Sequence, residues 1–256
     1  MSAGVVAGSL ISVQTTPERV VLVLVVVATT AIAALVNVAG GLGQPWAVVR
    51  ASGRAVVQLL LVALVVGAVL GSLPLTFAFL AFMSTVASGT AARRLTRGRS
   101  GAWAAFPVVA ASVPVVALLV ASGLVPLTGT ALVPIGGILI GGAMTATVLA
   151  GRRALDALRV RHGEYEAALA IGLLPRDAAL LVARDDTALA LVPGLDQTRT
   201  VGLVTLPGAF VGMLLGGSTP AQAAAVQLVV LVGLLLVQSV AVLVVLELIA
   251  RGRLHP

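Results

Sequence analysis

The stretch TALVPIGGILIGGAMTATVLAGRRALDALRVRHGEYEAALA (130–170) decides the fold. Its first part, 130–150, carries no charge and is long enough to cross a hydrocarbon core, which takes about 20 apolar residues in a helix. Arg152 and Arg153 then arrive, yet Leu155, Leu158, Tyr165 and Leu169 keep recurring at helical spacing. A spanning helix is therefore expected to run on out of the bilayer as a water-facing helix with a single apolar stripe.

The rest of the chain agrees. Of 256 residues, 59 % are hydrophobic and only 10 % charged, and the mean hydropathy is +1.15. A soluble domain carries about a quarter charged residues, so this composition cannot cover a water-exposed surface. Seven apolar runs are long enough to span: 20–40, 54–71, 73–92, 102–123, 130–150, 200–217 and 222–249. Gly71-Ser72-Leu73-Pro74 makes a tight hairpin of the second and third. The expected class is an all-α, polytopic membrane protein, one permease domain over 1–256. The N-terminal 1–14 is apolar but short and lacks a basic start, so it reads as an external or interfacial lead-in rather than a signal peptide.

All sixteen basic residues are Arg. Fifteen of them fall on one side of a seven-span arrangement, with only Arg19 opposite. Cytoplasmic loops hold the excess of Arg, which puts the N-terminus outside, the C-terminus in the cytoplasm and the protein in the cell (inner) membrane. The net charge of +7 is thus a topology signal rather than a nucleic-acid surface.

Between Gly151 and Arg199 seven Arg meet seven acids. Leu174-Pro175 breaks this segment, with Pro175 suited to the first turn of the next helix. Ala178, Leu181, Val182, Thr187 and Leu189 supply a second stripe, Pro193-Gly194 ends that helix, and Asp196 can cap span six. The result is a helix–break–helix on the membrane surface. An amphipathic connector without a partner fits this composition as well as a docking element does. What favours docking is Glu166-Ala167-Ala168, three residues, then Gly172, which resembles the EAA signature of ABC permeases, a short helix that enters a cleft on the ATPase. Asp185 stands where the importer pattern has Leu-Pro.

A longer resemblance covers most of the chain. Val133-Pro134-Ile135-Gly136-Gly137, Gly141-Gly142-Ala143-Met144, Arg184-Asp185, Ala190-Leu191-Val192-Pro193, Asp196 and Thr200-Val201-Gly202-Leu203-Val204-Thr205-Leu206-Pro207-Gly208 are similar to the FetB/YbbM-type permeases, which include the plant aluminium-tolerance permease. The resemblance implies an ABC permease that works with a separate ATPase subunit binding ATP and Mg, and the spans rich in Gly and Ala suit the pairing of two copies of the chain. It implies iron export for bacterial members and UDP-glucose transport for plant members, so iron and nucleotide sugars both remain open. Glu164, Glu166, Ala167, Ala168, Gly172, Pro175, Arg184 and Asp185 would couple to the ATPase. Family members carry Asn where this chain has Gly142, so a polar group expected in span five is missing.

Other residues admit two readings each. The overlapping small-residue spacings at Gly137, Gly141 and Gly142 serve close helix packing or a moving gate. Pro207-Gly208 in mid-span is a packing kink or the lining of a pathway. Asp196 and its neighbour Gln197 are a cap region or part of a substrate path, and Met144 and Met213 are core filling or path ligands. Gln58, Gln227 and Gln238 need polar partners inside the membrane, and Glu247 is expected to face Arg251 one turn on or interfacial water. The chain has no Cys and no Lys, so a thiolate metal site and a Walker A phosphate loop are excluded and no active site is expected. No nucleotide or other cofactor is expected on this chain, and its metal ligands cannot be named. The rivals are an autonomous secondary transporter or channel, which would want intramembrane acids, and a membrane adaptor.

Overall fold

The computed structural model describes residues 15–96 and 98–255, so the N-terminal lead-in and Arg97 lie outside the described residues. The fold is all-helical, in two compact units, Met1–Ala68 and Val69–Pro256. The first holds α1 (Thr16–Ala39) and most of α2 (Pro45–Leu70). Pro17 sits in the first turn of α1, and Glu18 reaches back to accept from the Thr15 amide at 2.8 Å, one half of a capping box. No residue of α1 is buried, and Leu64 of α2 is 81 % exposed. Apolar exposure on that scale is stable only in lipid. Arg50 and Arg54, expected in a loop, belong to α2, because Pro45 starts that helix nine residues before the purely apolar run.

The second unit holds α3 (Leu73–Leu95), a 3-10 turn (Arg99–Ala104), α4 (Ala105–Ala121), α5 (Gly129–Val160), α6 (His162–Ala170), α7 (Pro175–Ala188), α8 (Val192–Thr200), α9 (Gly208–Leu215) and α10 (Pro220–Ala250). Only Gly71 and Ser72 separate α2 from α3, and the Thr76 hydroxyl donates to the Val69 carbonyl at 2.8 Å. α5 is the centre. Small residues let its neighbours approach: a Cβ at Gly136 would meet Leu80 of α3 at 2.7 Å, and one at Gly142 would meet Leu234 of α10 at 2.1 Å.

One end of this unit gathers its arginines. The Arg152 guanidinium donates to the Arg94 carbonyl at 3.2 Å, Arg253 lies over the Trp103 ring at 5.3 Å, and the Ser100 hydroxyl donates to the His255 carbonyl at 2.8 Å. The ends of α3 and α10, the 3-10 turn and the far half of α5 therefore meet there.

Two expectations need correction. Six helices among the described residues are long and apolar enough to span. The seventh run, 200–217, is not a helix of that kind. α8 stops at Thr200, residues 201–207 make a tight turn, and α9 has 8 residues, or about 12 Å. The cause is local: Gly202 takes φ +83°, three amides (Leu203, Val204 and Thr205) crowd onto the Thr200 carbonyl, and Pro207 is extended. Asp196, expected to cap the sixth span, lies inside α8, since Pro193 starts that helix three residues earlier.

Candidate coupling and transport sites

The segment after the membrane part of α5 is continuous helix to Val160, as its stripe predicts, then turns at Arg161. This corner was hidden in the sequence because the stripe runs across it. Arg161 is pinned by two acceptors, the Val182 carbonyl and the Asp186 carboxylate at 2.5 Å, and lies 3.8 Å from the Glu164 carboxylate. α6 buries Ala168 and leaves Glu164, Glu166 and Ala167 exposed. Glu166 lies 3.4 Å from His162 one turn back. Gly172 takes φ +95° with open space where a Cβ would stand, the conformation glycine adopts without steric cost.

Pro175 opens α7 in its first turn, as expected. The buried face of α7 is Ala178, Ala179, Leu180, Val182, Ala183 and Thr187, whereas Leu181 and Leu189 point outward. The helix thus turns a face of small residues to α5, which lets the two axes come close. Arg184 and Asp185 are exposed. At the start of α7, Arg176 grips Glu247 near the end of α10 with two parallel bonds, Nε to Oε1 at 2.7 Å and Nη2 to Oε2 at 2.9 Å. Its guanidinium is held above its ordinary pKa, chiefly by that hydrogen bond to Glu247. Arg251 donates to the same carboxylate at 2.5 Å. The Glu247–Arg251 contact was legible as i, i+4 spacing; Arg176, 71 residues away, was not.

From Arg176 onward the chain climbs α10. A cleft of about 320 Å³ between Leu180, Arg184, Thr187, Leu191, Leu243 and Leu246 marks the next level. Above it Gly194 of α8 lies against Gln238, whose Oε1 stands 1.9 Å from where a Cβ would sit. Gly142 of α5 approaches the same amide, with Gln238 Nε2 at 3.8 Å from its own Cβ position. Two glycines from two helices therefore make room for one amide whose oxygen has no hydrogen-bond partner.

Higher still, α9 meets the first turns of α10. Between them, α5 and the residues preceding α5 lies a cavity of about 640 Å³. Its walls are mostly apolar: Val125, Pro134, Ile138, Met213 and Val230. Gln227 also lines it, is buried and has an unpartnered Oε1. A largely apolar pocket with few polar groups is the usual form of a small-molecule site, and an unpaired buried oxygen costs about 1–3 kcal/mol unless something donates to it.

Of the residues proposed for a substrate path, the structure brings only Met213 to this cavity. Met144 packs on the core, and Asp196 and Gln197 are exposed on α8, with Asp196 3.5 Å from Arg199. Pro207 and Gly208 form the junction into α9. Gly137 approaches Met83 of α3, whose Cε lies 3.0 Å from a Cβ placed there, whereas Gly141 faces open space. Among the described residues no three His, Cys, Asp or Glu converge as metal ligands.

Residues 20–253 match the family described as "Uncharacterised protein family (UPF0014)". The chain is 34 % identical over 209 residues to the UPF0014 membrane protein STAR2 of Oryza sativa subsp. japonica, covering 80 % of this chain and 73 % of that one. It is 27 % identical over 202 residues to the probable iron export permease protein FetB of Escherichia coli (strain K12), covering 78 % of each. Over 183 residues it is 28 % identical to the UPF0014 membrane protein YjkA of Bacillus subtilis (strain 168), covering 69 % of this chain and 72 % of that one. No solved structure matches the chain. With a match running almost end to end and a set of apolar helices to carry it, this chain is a multi-pass membrane protein that belongs to the UPF0014 family.

Proposed function

We propose that the chain is the permease subunit of an ABC exporter in a cell (inner) membrane, driven by a separate ATPase that docks on α6. Iron is the first solute to test, because FetB is named a probable iron export permease. The observation that carries the docking is the outer surface of α6. Glu164, Glu166 and Ala167 stand exposed, and Gly172 leaves open space beside them. Behind that surface the helix is fixed to the bundle through buried Ala168 and the Arg161 corner.

The N-terminus lies outside and the C-terminus in the cytoplasm. α7, α8 and α9 together make the seventh crossing as a broken one. They follow α10 from Glu247 to Gln222, 25 residues at about 1.5 Å each or about 37 Å, which exceeds a hydrocarbon core of about 30 Å. Irregular backbone at that depth must face protein or a water-filled cavity, which suits a transport route running past Gln238 to the cavity at Gln227. Two copies of the chain would close the route.

The test is ATP-driven iron(II) flux in proteoliposomes holding this chain and the ATPase encoded beside it. Wild type moves iron only with both subunits and ATP. Glu166→Lys with Ala167→Trp blocks flux while leaving insertion intact, since both side chains are exposed. Normal flux in that double variant would overturn the docking.

A further inference from the structure

We infer that the Arg176–Glu247 pair is the joint through which movement of the cytoplasmic α6 and the first turn of α7 enters the transmembrane bundle, with α10 as the lever. The inference rests on the ATPase-docking reading and adds to it a route for the force.

The α6–α7 element is fixed at two points. Arg161 with Asp186 ties α7 to the end of α5, which the chain already joins to α6 through a single corner. That bond closes a short loop and moves with it. Arg176 with Glu247 is different, because it links elements 71 residues apart. Two parallel N–H···O bonds fix the plane of the guanidinium as well as its distance, so the pair can carry a twist as well as a pull.

Two clefts flank it. One cleft of about 480 Å³ adjoins Arg176 on the side of Leu158, Ile249 and Ala250. The cleft of about 320 Å³ adjoins both members on the side of Leu180 and Leu246. Close packing transmits strain; a gap does not. The charged pair is the directional contact between the start of α7 and α10, standing beside the buried packing of Ala179 and Leu180 in the same core as Leu246 and Ile249.

The lever itself is suited to the task. α10 runs 31 residues without an internal proline and is buried along its length at Gln227, Val237, Val245 and Ile249. Displacement at Glu247 therefore reaches Gln238, seated between Gly142 and Gly194, and then Gln227 on the cavity wall.

The experiment uses nitroxide labels on cysteines introduced at Ser122 and Ala221, possible because the chain has no cysteine of its own. The full chain is reconstituted with its ATPase subunit, and the label distance is read by pulsed electron resonance with and without ATP–Mg. In wild type, nucleotide shifts the distance by about 2 Å or more. Arg176→Gln and Glu247→Gln each remove the shift while ATP hydrolysis by the assembled complex stays within about threefold. Arg176→Lys, which keeps the charge but loses the fork, gives an intermediate shift. Exchanging the pair, R176E with E247R, restores at least half. A purely structural strut would instead lower the melting temperature and leave the nucleotide-driven shift in the folded fraction untouched. Persistence of the shift in both neutral variants overturns the inference, as does a wild-type complex that hydrolyses ATP with no shift at all. A wild-type chain that neither binds nor stimulates the ATPase overturns the docking reading and the joint together.

Discussion

α5 and the segment 189–217 are both rich in glycine and apolar residues, yet one is a single helix of 32 residues and the other is broken into pieces. In α5 the glycines keep helical backbone and let other helices close in, as at Gly136, Gly137 and Gly142. In the broken segment Gly202 and Gly217 take φ +83° and +91°, where a Cβ costs backbone strain, and Leu203 between them is 91 % exposed. The same residue type serves close approach in one place and a change of direction in the other. The first builds a rigid centre. The second interrupts the apolar run between α8 and α10.

The sharpest way to break this comparison is at the start of α5. A Cβ at Gly129 would stand 2.7 Å from the Leu70 carbonyl oxygen and 2.8 Å from the Leu70 Cα. Backbone cannot rotate away as a side chain can, so Gly129→Val should cost about 3 kcal/mol or more. Thermal melting of the detergent-solubilised protein checks it, and melting within a few degrees of wild type would show the backbone at Leu70 to be yielding. Gly142→Ala meets only the ends of Leu234 and Gln238, which can change rotamer, and should cost less.

Gly202→Ala tests the other use of glycine. Nothing stands within 4 Å of its Cβ position, so the penalty is strain at φ +83° alone, about 1–2 kcal/mol. The melting temperature should fall less than for Gly129→Val, while flux should fall more. Equal loss of stability and flux in the two variants would erase the distinction.

A third variant addresses the cavity. Gln227→Leu removes a buried oxygen that has no partner and should raise stability by about 1 kcal/mol. If the amide serves the solute, transport falls while melting rises. Thr147→Val, at another unpartnered buried oxygen that does not line the cavity, should leave transport unchanged. A parallel fall in both would remove Gln227 from the route.

Much of this was legible beforehand. Long uncharged runs and prolines in first turns mark the helices, since each acts over neighbouring residues. The continuation of α5 past Arg152 was readable from Leu155 and Leu158, and the Glu247–Arg251 contact from one turn of spacing. What escaped was tertiary. Hydropathy alone counted 200–217 as a span, because Val, Leu and Gly score alike in a helix and in a tight turn. Ala178, Val182 and Thr187 were rightly placed on the buried stripe, but Leu181 was not: α7 buries Ala179, Leu180 and Ala183 beside them instead, a choice set by how near α5 lies. No local pattern pairs Arg176 with Glu247.

Gly141→Ala is the smallest change and separates the two meanings of a glycine within one helix. It lies between Gly137, which touches Met83, and Gly142, which touches Leu234, yet has open space where a Cβ would stand. Its backbone is helical and its carbonyl accepts the Thr145 hydroxyl at 3.0 Å. A methyl there meets no clash and removes glycine's entropic disadvantage in a helix, so stability should rise by up to about 1 kcal/mol. If melting falls instead, something covers that face in the assembled protein, and a second copy of the chain is the first candidate. Cross-linking through a cysteine at 141 would then trap a dimer from the membrane, whereas an uncovered face would leave it monomeric.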